Sequence, residues 1–409
     1  MTYQDAFKPE HYSKQSIAGP LSDEIDPKIR AVLGKALQGQ EVSEADAILL
    51  FSAEGKDLEA LTQTADLLRR SSVGENTSFV ITRNINFTNI CYMGCRFCNF
   101  AKHKDQAGAE FLMIEEVVAR AREAKARGAT EICMQGGLAP NISADYYRTL
   151  VATIKREVPG LHIHAFSPFE IWFGAKKNRL PYEDYLRSLK EAGLDSMPGT
   201  AAEILDVEVR KILTRDKLTT DEWVAIIKAA HRVGIPTTST IMYGHVDAPR
   251  HWAAHIALLR EIQKETGGFT EFVPLGFVHY DTPLYKEDAG VRPGPTRDEH
   301  IRMHAVARLM LNGWIDNIQA SWVKLGPDLA QRMLQCGVND LGGTLMNESI
   351  SRAAGGQHGQ ELTPEEMVRR IRELGRNPVR RNTLYQVVET YNQTAPSPIP
   401  VRDLCAGLA

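Results

Sequence analysis

From Phe79 to Gly343 the chain alternates about eight times between short β-prone runs and amphipathic stretches of helical period. The β-prone runs are "FVITRNINFTN", "TEICMQGG" (130–137), "LHIHAFSP" (161–168), "LDSMPGT", "IPTTSTIMYG" (235–244), "EFVPLGFV" (271–278), "IDNIQASW" (315–322) and "VNDLGG" (338–343). Helical text such as "IEEVVARAREAKARG", "PYEDYLRSLKEAG" and "TTDEWVAIIKAAHRVG" separates them, each stretch closed by a glycine (Gly128, Gly193, Gly234). Such alternation fits either an open doubly wound sheet or a closed (β/α)8 ring. A count near eight favours an α/β fold of TIM-barrel type, in which the strand-end loops form a ring around one mouth.

Three regions follow. Residues 1–75 form a helical lead-in, expected to cover the front of the barrel; in it Ser43 caps a helix that Gly55 ends. Residues 76–345 form the barrel, and residues 346–409 a loop, the helix "TPEEMVRRIRELG" and a Pro-bearing tail. A length of 409 suits one barrel of about 250 residues extended at both ends. The formal charge of -3 gives no basic face for nucleic acid. No run nears the ~18 apolar residues of a membrane span, and "MTYQDAFKPEHYSKQ" is no signal region, so a cytoplasmic protein without a membrane partner is expected.

The chemistry centres on "CYMGCRFCNF", which places Cys91, Cys95 and Cys98 in a C-x3-C-x2-C pattern directly after the first strand. Thiols can be small buried hydrophobes, but Gly94 and Arg96 between them make poor core text. Structural zinc takes four ligands, usually as paired C-x2-C units, and no second unit exists. An iron–sulfur cube on three thiolates keeps one iron open, as catalytic metal centres do. Cys133, Cys336 and Cys405 are assigned no part in it.

With Phe97 before its last cysteine, this pattern resembles the radical S-adenosylmethionine (SAM) superfamily. The resemblance implies a [4Fe–4S] cluster on Cys91, Cys95 and Cys98, with S-adenosyl-L-methionine bound at the open iron and split to a 5′-deoxyadenosyl radical. Phe97 would flank the cluster or the adenine. "EICMQGGLAP", "HIHAFSPFEI", "DSMPGTAAEIL", "STIMYGH" and "GGTLMNESISRAAGGQHG" resemble a subgroup that includes aminofutalosine synthase, dehypoxanthine futalosine cyclase and FO synthase. The wording is most similar to the tyrosine-using half of FO synthase, over about residues 45–385. That half adds the 4-hydroxybenzyl group of L-tyrosine to 5-amino-6-(D-ribitylamino)uracil, on the way to the deazaflavin FO and coenzyme F420. The single cysteine motif would make this the separate subunit, not the fused two-cluster form. The implied partners are the other FO synthase subunit (7,8-didemethyl-8-hydroxy-5-deazariboflavin synthase) and a reductant such as ferredoxin or flavodoxin. An aminofutalosine synthase-like enzyme, another tyrosine lyase and a non-catalytic electron-transfer protein stay open as alternatives.

The strand ends supply the remaining expectations. The resemblance implies that the backbone of Gln135, Gly136 and Gly137 meets the methionyl amino group, as a Gly-Gly-Glu-like stretch does in the family; there is no Glu here, so only that backbone role carries over. Ser167 would bind ribose or substrate, while Glu170 is either functional or a surface residue. In related barrels a carboxylate and an arginine at this place hold the polar end of SAM, so the resemblance implies that role for Glu203 and Arg215, an arginine fork suiting a carboxylate. His245 and Tyr243 are the catalytic candidates, a histidine being suited to moving a phenol or amine proton. Either Met242 or Tyr243 faces inward, but not both. His164 and His279 are candidate substrate contacts at the mouth. Asn347, Glu348 and Arg352 offer donors and acceptors for a ribityl chain and a uracil edge.

Overall fold

The computed structural model describes residues 21–214 and 217–391. Its strands are β1 (Asn76–Val80), β2 (Thr82–Asn86), β3 (Glu131–Gln135), β4 (His162–Ala165), β5 (Thr237–Tyr243), β6 (Phe269–Gly276) and β7 (Asp340–Gly343). All of their mutual pairings are parallel: β2 with β3, β3 with β4, β5 with β6, and β7 with β1. Single parallel bridges make the other joins: His164 to Ser196, Met197 to Thr237, Phe272 to Ile318 and Gln319 to Asp340. Since β1 and β2 share one stave, the ring closes with eight: β1/β2, β3, β4, 196–197, β5, β6, 318–319 and β7.

Staves four and seven are shorter than the sequence suggests. In "LDSMPGT" Pro198 lacks an N–H for the ladder, so pairing stops at Met197. In "IDNIQASW" the helix Trp322–Leu325 begins at once, leaving only Ile318 and Gln319 to pair. The outer helices follow their apolar periodicity. Helix Thr220–Arg232 is capped by Thr219, whose hydroxyl accepts from the Glu222 N–H, and it buries Trp223, Ile226, Ile227 and Ala230 against the barrel. Truncating one such residue, as in Ile226→Ala, costs about 2–5 kcal/mol.

Three elements differ from the sequence expectation. Helix Pro168–Asn178 lies between β4 and helix Tyr182–Ala192, started by a capping box of Ser167 and Glu170 with Pro168 in the first turn. Gly55 opens helix Gly55–Val73 and does not close Glu44–Leu50, which ends in a turn at Phe51. The lead-in does not cover the barrel's front. Gly55–Val73 packs on the outer helix Arg297–Leu311, and Glu44–Leu50 on Pro249–Thr266.

The C-terminal stretch closes the floor, the end opposite the strand-end loops. After helix Pro364–Glu373, β8 (Asn377–Arg381) pairs parallel with β1, and β9 (Val387–Thr390) folds back antiparallel on β8. Arg381 reaches Asp340 at 2.6 Å and Glu271 at 3.4 Å. Tyr385 also donates to Glu271, and Thr383 to Glu131. Cys405 lies outside the described residues. Among the described residues, no helix is long and apolar enough to cross a membrane.

Candidate active site

A cavity of about 400 Å³ opens at the carboxyl ends of the staves, and Cys91, Cys95 and Cys98 all line it. The loop that carries them is held by several neighbours. Cys91 N–H donates to Lys102 O at 3.0 Å and Cys98 N–H to Cys95 O at 3.1 Å. Arg96 donates its N–H to Leu213 O (3.0 Å) and accepts from Leu284 N–H (2.8 Å). Asn99 Nδ2 donates to Ala353 O at 2.7 Å. Burial pushes all three thiols above their ordinary range. Metal charge is what turns such thiols into thiolate ligands. Among the described residues, no three His, Cys, Asp or Glu side chains gather round one ion position. Three separate thiols on one cavity wall fit a cube, in which each thiolate binds its own iron.

Opposite β7, Glu203 and Lys217 follow stave four. Their Oε1 and Nζ are 2.5 Å apart, and both side chains are under a tenth exposed. Lys217 Nζ also sits 5.0 Å above the Phe97 ring and 5.6 Å above Phe169. Burial opposes the charge on Lys217, but Glu203 and the Cys95 thiol outweigh it and hold its pKa above the ordinary value. A fixed cation thus stands beside the cysteines and would offset thiolate charge. Arg210 reaches Glu203 Oε2 only at 3.8 Å and donates mainly to backbone carbonyls, among them Ala202 O. Arg215 lies outside the described residues. Lys217 was not a sequence candidate, since it sits in a loop where no periodicity marks it.

Gln135, Gly136 and Gly137 line the same cavity. A side chain on Gly136 would collide with the Phe87 ring, and one on Gly137 with Ile90 O, so glycine is required at both. The N–H groups of both glycines are engaged, Gly136 to Glu170 (2.9 Å) and Gly137 to Thr88 O (2.8 Å), while Gln135 O accepts from Asn86 Nδ2 (3.1 Å) and Gly137 O from Ala139 N–H (3.1 Å). Glu170 is buried, not at the surface, and burial raises it to about 7 against the hydrogen bonds from Ser167 and Gly136. Ser167 lines the cavity beside it. Phe166, Ala201, Glu203, Leu345 and Asn347 all have positive φ just past stave ends. Non-glycine residues held there are a mark of functional loops.

Several expected site residues lie elsewhere. Met242 lines the cavity, so Tyr243 faces outward; its hydroxyl bonds His300 Nδ1 at 2.6 Å and its ring packs on Trp252. His245 is fully buried away from the cavity, with Nε2 donating to Met242 O (3.0 Å) and Nδ1 accepting from Val246 N–H (2.8 Å). Burial holds its pKa down despite Asp247. His164 bonds Ser196 Oγ at 2.7 Å, is held neutral by burial to about 3, and does not line the cavity. Asn347 and Arg352 are exposed and also outside the lining. Asn347 sits in the loop after β7 and Arg352 in the short helix Ile350–Ala353, a polar stretch whose composition does not say which members turn inward. His279 lines an adjoining cavity of about 190 Å³ with Tyr280, His300, Gln357 and His358. Glu348 and Phe97 do line the main cavity, together with Lys324, which was no sequence candidate.

Residues 85–259 match the radical SAM superfamily, and residues 266–394 match the CofH/MqnC C-terminal region. The 5-amino-6-(D-ribitylamino)uracil–L-tyrosine 4-hydroxyphenyl transferase of Methanothermobacter thermautotrophicus is 47% identical over 365 residues, covering 89% of this chain and 99% of that protein. The chain belongs to this family of radical SAM enzymes. The FO synthase of Mycobacterium leprae is 52% identical over 370 residues, covering 90% of this chain but 43% of that protein. The chain therefore spans less than half the length of such an FO synthase. Among solved structures, methylornithine synthase (PylB) shares the fold, with a TM-score of 0.68 at 20% identity over 85% of this chain and 97% of that one. The family uses a [4Fe–4S] cluster and SAM, which the three cysteines of this radical SAM barrel suit.

Proposed function

We propose that this chain moves the 4-hydroxybenzyl group of L-tyrosine onto C5 of 5-amino-6-(D-ribitylamino)uracil, the rest of the amino acid leaving as a glyoxylate-forming imine. The reading is carried by three cysteines on one barrel-mouth cavity in a chain 47% identical to a transferase of that name across nearly all of its length. When bound, the cluster and SAM supply a 5′-deoxyadenosyl radical. The chain's own residues do the rest. Cys91, Cys95 and Cys98 hold the cluster at one side of the cavity. Lys217, fixed by Glu203, balances the thiolate charge. The 135–137 strand end and the Ser167–Glu170 cap, which line the same cavity, would supply acceptors to the adenosyl and methionyl moieties. Phe169, Met242, Phe277 and Leu345 give the cavity apolar walls that keep water from a radical. The annex beside His279 adds polar groups that match the ribityl hydroxyls of the second substrate.

The other FO synthase subunit as receiver of the adduct, ferredoxin or flavodoxin as electron donor, and a cytoplasmic location belong to the same proposal. The test is anaerobic incubation of the reduced, cluster-loaded protein with SAM, tyrosine and the diaminouracil, followed by mass spectrometry. The hydroxybenzyl–uracil adduct is expected with 5′-deoxyadenosine. Deoxyadenosine without adduct would overturn the transferase reading and favour another radical reaction of tyrosine.

A further inference from the structure

The cavity wall after staves seven and eight carries two groups with no task in the account so far. Lys324 stands in helix Trp322–Leu325 and lines both the main cavity and the annex. Among the described residues, no side chain or backbone group hydrogen-bonds or ion-pairs its Nζ. Glu348 is 5% exposed. Its Oε1 accepts from Ser351 N–H at 2.8 Å, whereas its Oε2 is buried without a partner. Buried polar atoms in native proteins are nearly always satisfied, so an orphaned carboxylate oxygen on a cavity wall points to a ligand donor.

The two groups are matched to each other. Glu348 is near enough for its charge to act on Lys324, yet the pair forms no ion pair. Both line the main cavity, and a cation and a carboxylate on one cavity that do not pair with each other are the complement of an α-amino acid, whose ammonium and carboxylate are separated by one carbon. The other described lysine of the lining, Lys217, is already taken by Glu203. We propose that Lys324 and Glu348 form a clamp for the amino-acid substrate, Lys324 receiving its carboxylate and Glu348 its amino group. This deepens the tyrosine reading and rests on it. Burial holds the Lys324 ammonium below its ordinary pKa, with Glu348 acting against that. An arriving carboxylate therefore gains a poorly hydrated cation, the setting in which a charged hydrogen bond is strongest. Phe277, Val278 and Leu345 line the same cavity and offer an apolar surface for a phenol ring.

The experiment is anaerobic calorimetry of the cluster-loaded protein with tyrosine, with tyramine (no carboxylate) and with 3-(4-hydroxyphenyl)propionate (no amine). The wild-type protein is expected to prefer tyrosine to both analogues. Lys324→Met should weaken tyrosine roughly 10- to 100-fold and leave tyramine unchanged, while Lys324→Arg keeps most of the preference. Glu348→Gln should weaken tyrosine and tyramine but not the propionate. A Lys324→Met protein that weakens tyrosine and tyramine equally, or weakens neither, overturns the clamp. Adduct formation by the wild type alongside that result would leave the transferase reading standing. Intact discrimination between tyrosine and tyramine, abolished by Lys324→Met, with no adduct would sink the transferase reading alone.

Discussion

The floor and the mouth of this barrel hold the same kinds of groups and treat them differently. At the floor, Arg381 lies 2.6 Å from Asp340 and 3.4 Å from Glu271, and Tyr385 and Thr383 donate to Glu271 and Glu131. Each of these charges has a partner supplied by the chain itself, and β8 and β9 seal that end. At the mouth, Glu203 Oε2 and Glu348 Oε2 are buried without hydrogen-bond partners, and three thiols face one cavity. Unpaired buried polar groups are costly, so a fold keeps them where a ligand completes the set. The floor's charges therefore stabilise the fold, whereas at the mouth, apart from the Lys217–Glu203 pair, the orphaned oxygens and the thiols are left for ligands.

The largest expected effect is at the mouth and is chemical. Cys95→Ala should abolish cluster incorporation and deoxyadenosine formation, while thermal unfolding stays near that of the wild-type apoprotein. Iron and sulfide analysis with a melting curve checks both; a Cys95→Ala protein that still turns over would break the assignment. At the floor the order reverses. Arg381→Met leaves Asp340 and Glu271 buried without their cation and should cost about 3–5 kcal/mol of stability. Cluster content and deoxyadenosine formation per folded molecule should hold. A stable Arg381→Met protein with an impaired cluster would erase the contrast between the two ends.

Two smaller effects sharpen it. Burial raises Glu170 from 4.5 to about 7, so between those values the folded chain holds a proton that the unfolded chain has lost. That contribution to stability is complete below 4.5 and is lost as pH rises through about 7. Glu170→Gln cannot ionise, so denaturant titrations should show wild type losing ground to the variant from pH 4.5 to 8, by up to about 1.4 kcal/mol per pH unit within the window. A constant difference across that range would contradict the burial of this carboxyl. Tyr243→Phe, smallest of all, removes a hydrogen bond to His300 that lies outside the main cavity. It should cost about 1–3 kcal/mol in unfolding experiments and leave turnover within about twofold of wild type. A large loss of turnover would return Tyr243 to the active site.

The alternating pattern made the ring legible, and the spacing of Cys91, Cys95 and Cys98 made the cluster site legible. Side-chain direction was not legible. A period of two says that Met242 and Tyr243 face opposite ways but not which one faces in, because packing of Tyr243 on Trp252 and His300 decides that. Helix Pro168–Asn178 was hidden because its text follows β4 without a break and contains Gly174, a poor helix former, although Ser167 and Glu170 spell a capping box. The β8–β9 hairpin draws its reason to form from Asp340 and Glu271, residues distant in sequence. Lys217 and Lys324 carry no local signal, since only the closed barrel brings them onto one cavity.

The central claim is that the mouth holds a cluster on three thiolates with one iron left for SAM. The most direct test is the electron paramagnetic resonance spectrum of the reduced, reconstituted protein before and after SAM is added. The account predicts that the g-values shift on addition and that Cys95→Ala gives no such cluster signal. A wild-type spectrum unchanged by saturating SAM would mean a closed cluster and would contradict it.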